Sequence, residues 1–433
     1  MPKRQLFTSH LGAVFTMIGL AVGLGNVWRF PYMMGKFGGS AFLFVYLIFT
    51  LLFALPALMA EMALGRETRK GPVGAFSRVF GQRVGTFIGY MLVFTILVAA
   101  SYYLVVIANV LYTTYFSVFQ GFKTENFSRF EAQLGNGWLQ FGISLVTLIV
   151  SLYVLHRGLN KGLELLSKIF VPFFLVAILY LIFHAFSLEN AKANMLAFLK
   201  PDFAALNPQN IFAALGQTFF SLGLGGTLIL IFGSYLQKDE KLPRLALLTA
   251  AGDVGAALLA SLFIVPTVLA FGLNLASGPR LLFDTLPRLF NKMPGGQFIG
   301  SLFLVALSLV AILSLIAALE VVVGGLEDSK KLGWSRKKII FALGIACAMI
   351  AFPCSLYPDL IGILDLIFGS GMMVLGSALA AIGLSRGLGK TTTLNQIFGT
   401  EKLWWRHTYF FWIKWVVPVV LLMVLFGYIY SSV

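Results

Sequence analysis

Five ionisable side chains interrupt otherwise apolar stretches of this 433-residue sequence: Arg29, Glu61, Asp253, Glu320 and Asp365. A charged side chain in a strongly apolar segment is energetically costly, so such residues point to function. Asp253 offers hard oxygen ligands that suit a small alkali cation. Arg29 and Asp365 carry opposite charges and could close over the mouth of a cavity. Glu61 and Glu320 are better suited to binding free backbone groups.

Two apolar segments contain glycine clusters beside polar residues. One is GLAVGLGN at 19–26, and the other is SLGLGG at 221–226. Glycine destabilises a helix interior by up to about 1 kcal/mol relative to alanine. Inside a membrane, unwound backbone is tolerated only where protein or a water-filled cavity satisfies its polar groups. We therefore expect two broken helices that face one site, in preference to the alternative that these small residues only allow close helix packing.

Other motifs that could carry chemistry fail on spacing. The four histidines lie far apart and show no metal-ligand spacing. Gly389-Lys390-Thr391 ends like a phosphate-binding loop, but Leu384 stands where that loop requires glycine. No pairing of carboxylates and no activated nucleophile is evident. The sequence is therefore not expected to encode an enzyme.

The composition places most of the chain in lipid. Hydrophobic residues make up 59% of the sequence and charged residues 11%, a balance that a water-soluble protein cannot accommodate. Repeated apolar stretches are long enough to cross about 30 Å of hydrocarbon as helices. The net charge of +15 fits basic cytoplasmic loops better than nucleic-acid binding. The expected partners are thus the lipid bilayer and a small solute, and not nucleic acid.

We predict an all-α integral membrane protein that forms a single domain over 1–433. The eleven predicted spans lie near 10–36, 39–65, 84–117, 138–155, 163–184, 210–236, 243–272, 297–328, 338–355, 359–385 and 409–430. The glycine clusters fall in the first and sixth spans, at matching positions of two five-helix halves, 10–184 and 210–385, with 409–430 as an additional helix. Interrupted helices at matching positions predict an inverted repeat with its site near the membrane midplane.

The distribution of lysine and arginine predicts the orientation. Basic clusters at 66–83 and 330–338 lie in the cytoplasm if the N-terminus is cytoplasmic, as the positive-inside rule requires. Because the number of spans is odd, the C-terminus is then expected outside. We expect a multi-pass protein of the cell membrane, present as a monomer or a weak dimer.

The segment GLAVGLGNVWRFP at 19–31 resembles the neurotransmitter:sodium symporter family, in its bacterial amino-acid branch. The similarity continues through 38–42, Glu61, Tyr102-Tyr103, 217–223 and 326–328, so it spans about 4–385. The resemblance implies a 5+5 inverted repeat with unwound first and sixth helices. It also implies import of a small amino acid by alternating access, with Na+ as the coupling ion.

By this resemblance, the substrate carboxylate rests on backbone amides at the first break, where free N–H groups and the helix dipole attract anions. The implied substrate-binding residues are Ala21, Leu24, Gly25, Ala99, Tyr103, Phe219, Phe220, Ser221, Gly223, Gly226, Ser314 and Ala318. The implied first sodium site is formed by Ala21, Asn26, Ser221 and Asp253. The implied second sodium site is formed by Gly19, Val22, Val310 and Ser314. The implied gates are Arg29 with Asp365 outside and Arg4 with Asp328 inside.

Two positions depart from the family pattern. Asp253 stands where many members have asparagine, and Ala257 follows one turn later. A carboxylate already at the ion makes a separate anion unnecessary, so chloride-independent transport is expected. Leu313 replaces the usual hydroxyl or carboxylate before Ser314 and has no oxygen to offer a hard cation. The second sodium site is therefore expected to be weak, altered or absent.

The implied pocket is lined mainly by small residues, so a bulky hydrophobic or aromatic amino acid is the expected substrate. Each buried CH2 group contributes about 0.8 kcal/mol. A channel would need a continuous polar pore, which two broken spans around one site do not suggest. The remaining alternative is an amino-acid-binding sensor or an uncoupled transporter on the same fold.

Overall fold

The computed structural model describes residues 5–278, 280–329, 333–399 and 404–432, apart from the side chains of 205 and 428–432. Within these ranges the chain is helical and contains no strand. Nine continuous helices are long and apolar enough to cross a membrane, and the bent pair His10–Ala21 and Gly25–Lys36, which meet at 55°, forms a further crossing. The pair Pro208–Ser221 and Leu228–Gly233, separated by a second break, lies at the position of the sixth predicted span.

The two broken pairs are spans 1 and 6. Spans 2 to 5 are Ser40–Thr68, Val84–Phe119, Gly137–His156 and Leu159–Phe186, and spans 7 to 11 are Leu242–Ala270, Gly296–Glu327, Arg336–Leu356, Asp359–Gly387 and Arg406–Gly427. The last helix continues to Ser432. Shorter helices in the connections are Pro72–Phe80, Thr124–Asn126, Phe127–Leu134, Ala191–Phe198, Phe203–Ala205, Leu281–Thr285, Leu286–Lys292 and Gly389–Phe398. The predicted span ends lie within a few residues of these bounds.

Both breaks fall at the glycine clusters. In span 6, Gly223 and Gly226 have φ angles of +63° and +66°, in the left-handed region that glycine adopts without a steric penalty. The Gly225 amide donates to Glu61 Oε1 of span 2 at 3.0 Å. In span 1, the Gly23 amide donates to Asn26 Oδ1 at 3.0 Å. Side chains thus satisfy backbone groups that the unwound segments release, and Glu61 has the role expected of it.

The two longest helices flank the breaks. Span 3 has 36 residues and span 8 has 32, and they pack against each other along their lengths. The inner half of span 1 packs against spans 5, 7 and 8. Broken helices in the first and sixth positions, with long helices in the third and eighth, match an inverted five-span repeat. The division at 10–184 and 210–385 stays a prediction.

Candidate functional site

A cavity of about 160 Å³ lies where the breaks of spans 1 and 6 face each other, enclosed by spans 3, 8 and 10. Two larger depressions, of about 680 and 540 Å³, lie at helix ends away from both breaks. Of these three, the smallest cavity is the one that brings unwound backbone together with buried polar side chains. Its lining residues are Leu20, Ala21, Gly23, Leu24, Gly25, Asn26, Ile96, Ala99, Ala100, Tyr102, Tyr103, Phe220, Ser221, Gly223, Leu228, Ser314, Ala318, Asp365, Gly369 and Met373.

Most of the predicted substrate-binding residues line this cavity, and two do not. Phe219 is buried in the helix-packing core, with 1% of its surface exposed. A side chain at Gly226 would meet the Gly376 carbonyl and the Phe76 ring, away from the cavity. Phe219 lies in the last turn of the helix Pro208–Ser221 and packs into its buried side, whereas the path of the unwound segment turns Gly226 towards span 10.

The Tyr103 hydroxyl lies at the first break. It is within reach of the Leu24 backbone and the Ser314 side chain, and a methyl group added at Gly23 would be 3.4 Å from it. A phenolic O–H is a donor that can meet a carboxylate oxygen. The start of the outer half-helix, with its free N–H groups, and this hydroxyl therefore form an environment suited to an anionic group.

Three polar side chains from three spans converge beside the cavity. The Asn26 amide donates to Asp253 Oδ1 at 2.6 Å and to Ser221 Oγ at 3.1 Å, and Ser221 Oγ donates to Asp253 Oδ1 at 3.0 Å. Asp253 is fully buried, and its other oxygen is 3.5 Å from the Tyr46 hydroxyl. Oxygen ligands around one carboxylate suit an alkali cation. Among the described residues, no cluster of three histidine, cysteine or carboxylate side chains offers a different kind of metal site.

The orientation of Asn26 is that of a hydrogen-bonded network. Its amide nitrogen faces Asp253 and Ser221, while its oxygen accepts from the Gly23 amide. A cation at Asp253 requires the amide oxygen instead, since only oxygen has lone pairs to offer. Rotation of the amide group about its Cβ–Cγ bond exchanges the two atoms. The residues present therefore fit sodium, with this one side-chain adjustment.

The second predicted ion site is differently arranged. Ser314 Oγ donates to the Val22 and Val310 carbonyls, each at 3.1 Å. Leu313 is fully buried, and its Cδ2 atom would lie 2.6 Å from a side-chain carbon added at Gly19. The hydroxyl thus binds two of the expected carbonyl ligands, and an apolar side chain packs against the residue that supplies a third.

At one mouth of the cavity, the predicted outer gate residues have separate aromatic partners. The Arg29 guanidinium lies 4.0 Å from the centre of the Phe220 ring, in a cation–π contact. Asp365 accepts a hydrogen bond from the Tyr102 hydroxyl at 2.8 Å. Among the described contacts, the two charges form no direct ion pair with each other.

The end of the helix bundle opposite this mouth is covered by the segment before span 1. Phe7 is buried against the Tyr235 ring, and its amide donates to the Tyr235 carbonyl at 3.1 Å. Arg4 lies outside the described residues, and Asp328 accepts from the Gly71 amide. The prediction that Glu320 binds freed backbone groups is wrong. Glu320 accepts from the Tyr235 hydroxyl at 2.7 Å and pairs with Arg336 at 2.6 Å.

Several residues at the site were not anticipated from the sequence. Tyr46 gave no signal, because an aromatic residue in an apolar helix is ordinarily core. Asp365, Gly369 and Met373 recur every four residues, which is the spacing of one helix face. That pattern could have placed Met373 on the same helix face as the expected gate residue Asp365.

A bundle of membrane-spanning helices around a small cavity, with two broken helices and a buried cluster of oxygen ligands, defines a broken-helix solute transporter. The model of the sodium:neurotransmitter symporter family matches residues 4–127 and 123–432. The chain belongs to this family.

Individual relatives agree with this assignment over nearly the whole chain. The uncharacterized sodium-dependent transporter YhdH of Bacillus subtilis is 28% identical over 98% of this chain and 97% of its own length. The uncharacterized sodium-dependent transporter MJ1319 of Methanocaldococcus jannaschii is 30% identical over 94% of this chain and 87% of its own length. The crystal structure of MhsT in complex with L-phenylalanine is 31% identical, with a TM-score of 0.88, over 98% of this chain and 100% of MhsT.

The chain is therefore a sodium-dependent membrane transporter, and the relatives that it matches are transporters and not enzymes.

Proposed function

We propose that the protein imports a hydrophobic or aromatic amino acid together with sodium by alternating access. The observation that carries this proposal is that Asn26 and Ser221 belong both to the cavity lining and to the Asp253 cluster. A sodium ion at Asp253 would fix the same segments of spans 1 and 6 that contact the solute. Each ligand then favours binding of the other, which is the thermodynamic requirement for coupling.

The proposed pose follows the polarity of the cavity. The substrate carboxylate lies at the Leu24 and Gly25 amides and accepts from the Tyr103 hydroxyl. The ammonium group meets carbonyls of Ala21, Phe220 and Ser221 at the ends of the inner half of span 1 and the outer half of span 6. The substrate side chain extends towards Ala99, Gly223, Ser314 and Ala318, where small residues leave room. MhsT, which has the same fold, was crystallised with L-phenylalanine, and this supports a large apolar side chain.

The direct test is uptake of labelled amino acids into proteoliposomes, with and without an inward sodium gradient. We expect sodium-driven accumulation above equilibrium, with tryptophan, phenylalanine or leucine competing better than glycine. Sodium-dependent binding without accumulation would instead indicate the sensor or uncoupled transporter. Better competition by glycine would contradict the proposed substrate class.

Transport is expected to be independent of chloride. Asp253 places a fixed negative charge at the ion, and Ala257, one turn further on, is fully buried and uncharged. Replacing chloride with gluconate should therefore leave the initial rate of sodium-driven uptake unchanged. A loss of uptake in gluconate that chloride restores would contradict the role given to Asp253.

One sodium ion is expected to accompany each amino acid. Leu313 packs against Gly19 and offers no oxygen, which leaves the second site short of ligands, so we expect a Hill coefficient for sodium of about 1. Leu313→Thr returns an oxygen to this position and should raise the coefficient, whereas the similarly shaped Leu313→Val should not. Sodium activation of uptake measures both. A wild-type coefficient near 2 would show that the second site binds sodium despite Leu313.

We also propose that the N-terminus is cytoplasmic, that the C-terminus is outside, and that the protein works as a monomer or weak dimer. The basic residues between spans 2 and 3, which include Arg69, Arg78 and Arg83, support this orientation through the positive-inside rule.

A further inference from the structure

Span 10 contributes one face to the cavity. Asp365, Gly369 and Met373 all line it and are spaced four residues apart. Leu366 and Ile367, on the other side of the same span, are 40% and 48% exposed. Asp365 lies at the mouth beside Tyr102, and Met373 lies two turns further along the span. Span 10 therefore supplies a wall of the cavity and not only a gate residue.

Glycines in the broken part of span 6 allow Met373 to reach the cavity. A side-chain carbon added at Gly225 would lie 3.2 Å from both Cβ and Cε of Met373. The next residue, Gly226, has its backbone directly against Gly376 of span 10. The unwound segment thus brings backbone to this side of the cavity but no side chain. Met373 occupies the volume that a side chain of the segment would otherwise fill.

Met373 is the most adaptable of the larger apolar residues in the lining. Ala99, Ser314 and Ala318 are small and sit on the regular helices of spans 3 and 8. Ile96 is β-branched and therefore stiff about its first side-chain torsion. Methionine is unbranched, has three rotatable bonds and carries a thioether that contacts aromatic rings favourably. Met373 is also only partly buried, since its side chain borders the cavity.

We propose that Met373 determines which side-chain sizes the transporter accepts. Its side chain moves aside for a large aromatic substrate and closes against a smaller apolar one. This inference rests on the proposed function, because it concerns the side-chain end of the same amino-acid site. Met373 contacts the substrate in this proposal and takes no part in binding sodium.

The test compares variants at this position by competition. Purified wild-type protein, Met373→Phe, Met373→Ala and Met373→Leu are each titrated with valine, phenylalanine and tryptophan against a labelled amino acid in saturating sodium. The rigid ring of Met373→Phe should weaken phenylalanine and tryptophan by about tenfold or more relative to valine. Met373→Ala should shift the ranking towards tryptophan. Met373→Leu, which conserves volume, should keep the wild-type ranking.

A second variant approaches the same contact from the opposite side. Gly225→Ala adds a methyl group against Met373 and should push its side chain into the cavity, so it should also disfavour tryptophan relative to valine. Gly225 is not among the glycines with positive φ, so alanine adds no backbone strain there, and the 3.2 Å contact requires Met373 to shift. This variant tests the inference even if Met373→Phe does not fold.

The outcomes separate this inference from the proposed function. Equal loss of affinity for all three amino acids, or an unchanged ranking in every variant, would overturn the role of Met373. If the wild-type protein binds no amino acid in a sodium-dependent manner, the proposed function itself is wrong. Sodium binding measured in the absence of amino acid should be unchanged in Met373→Ala, because Met373 contacts only the solute.

Discussion

Replacing Asp253 with alanine is expected to raise the half-saturating sodium concentration by roughly a hundredfold, because losing one partner of a buried charge pair costs several kcal/mol. The carboxylate is fully buried and supplies the only formal negative charge in the cluster with Asn26 and Ser221. Sodium-dependent binding of a labelled amino acid by purified protein measures the change. Asp253→Asn, which retains the shape, should lose much of the same affinity because it removes the charge.

Ser261→Ala is the matched control for this prediction. Ser261 lies in the same span and is buried, but its hydroxyl only donates to the Ala257 carbonyl of its own helix, at 2.8 Å. Its sodium dependence should stay at the wild-type value. If Asp253→Ala folds and still shows wild-type sodium activation, the coupling ion binds elsewhere.

Replacing Tyr103 with phenylalanine is expected to weaken amino-acid binding by about tenfold to a hundredfold, the usual contribution of a hydrogen bond to a charged group. The hydroxyl lies beside Leu24 and Ser314 at the start of the outer half of span 1. In the described part of the lining, the other phenol is that of Tyr102, and its hydroxyl donates to Asp365 instead. Binding isotherms in saturating sodium measure the loss.

Tyr102→Phe is the control, because it removes a hydroxyl one residue away that serves the mouth and not the carboxylate. Its effect on affinity should be much smaller. A second control uses a substrate analogue in which an amide replaces the carboxylate. Tyr103→Phe should weaken the analogue far less than the parent amino acid, and an equal loss for both would show that the hydroxyl acts only through packing.

The spans were predictable because lipid imposes a simple rule. A helix such as Gly296–Glu327 must present apolar side chains over its whole membrane-crossing length, so its ends are marked by charge and by turn residues. The breaks were predictable for a related reason. The glycines at 223–226 and the buried Glu61 make sense together only if backbone is unwound there.

Side-chain directions beside and within the break of span 6 were not predictable, because the helix Pro208–Ser221 ends one residue after Phe220. Phe219 and Phe220 are adjacent in sequence, yet Phe219 is buried in the core and Phe220 lies at the cavity. Periodicity does not extend through a break, so it could not assign Gly226 to span 10. Side-chain contacts between spans were also hidden, both for the distant pair Tyr46 and Asp253 and for Glu320 and Arg336 on consecutive spans.

With the stoichiometry of one sodium ion proposed above, the packing of Leu313 against Gly19 would limit how steeply the transporter can concentrate its solute. A membrane potential of 100 mV contributes about 2.3 kcal/mol per charge moved. From the potential alone, a single sodium ion supports a roughly fifty-fold accumulation of a zwitterion, whereas two ions would support the square of that ratio. A carrier with one ion lets in fewer sodium ions for each amino-acid molecule, which suits conditions in which the amino acid is plentiful outside the cell. It is a poor scavenger where the amino acid is scarce.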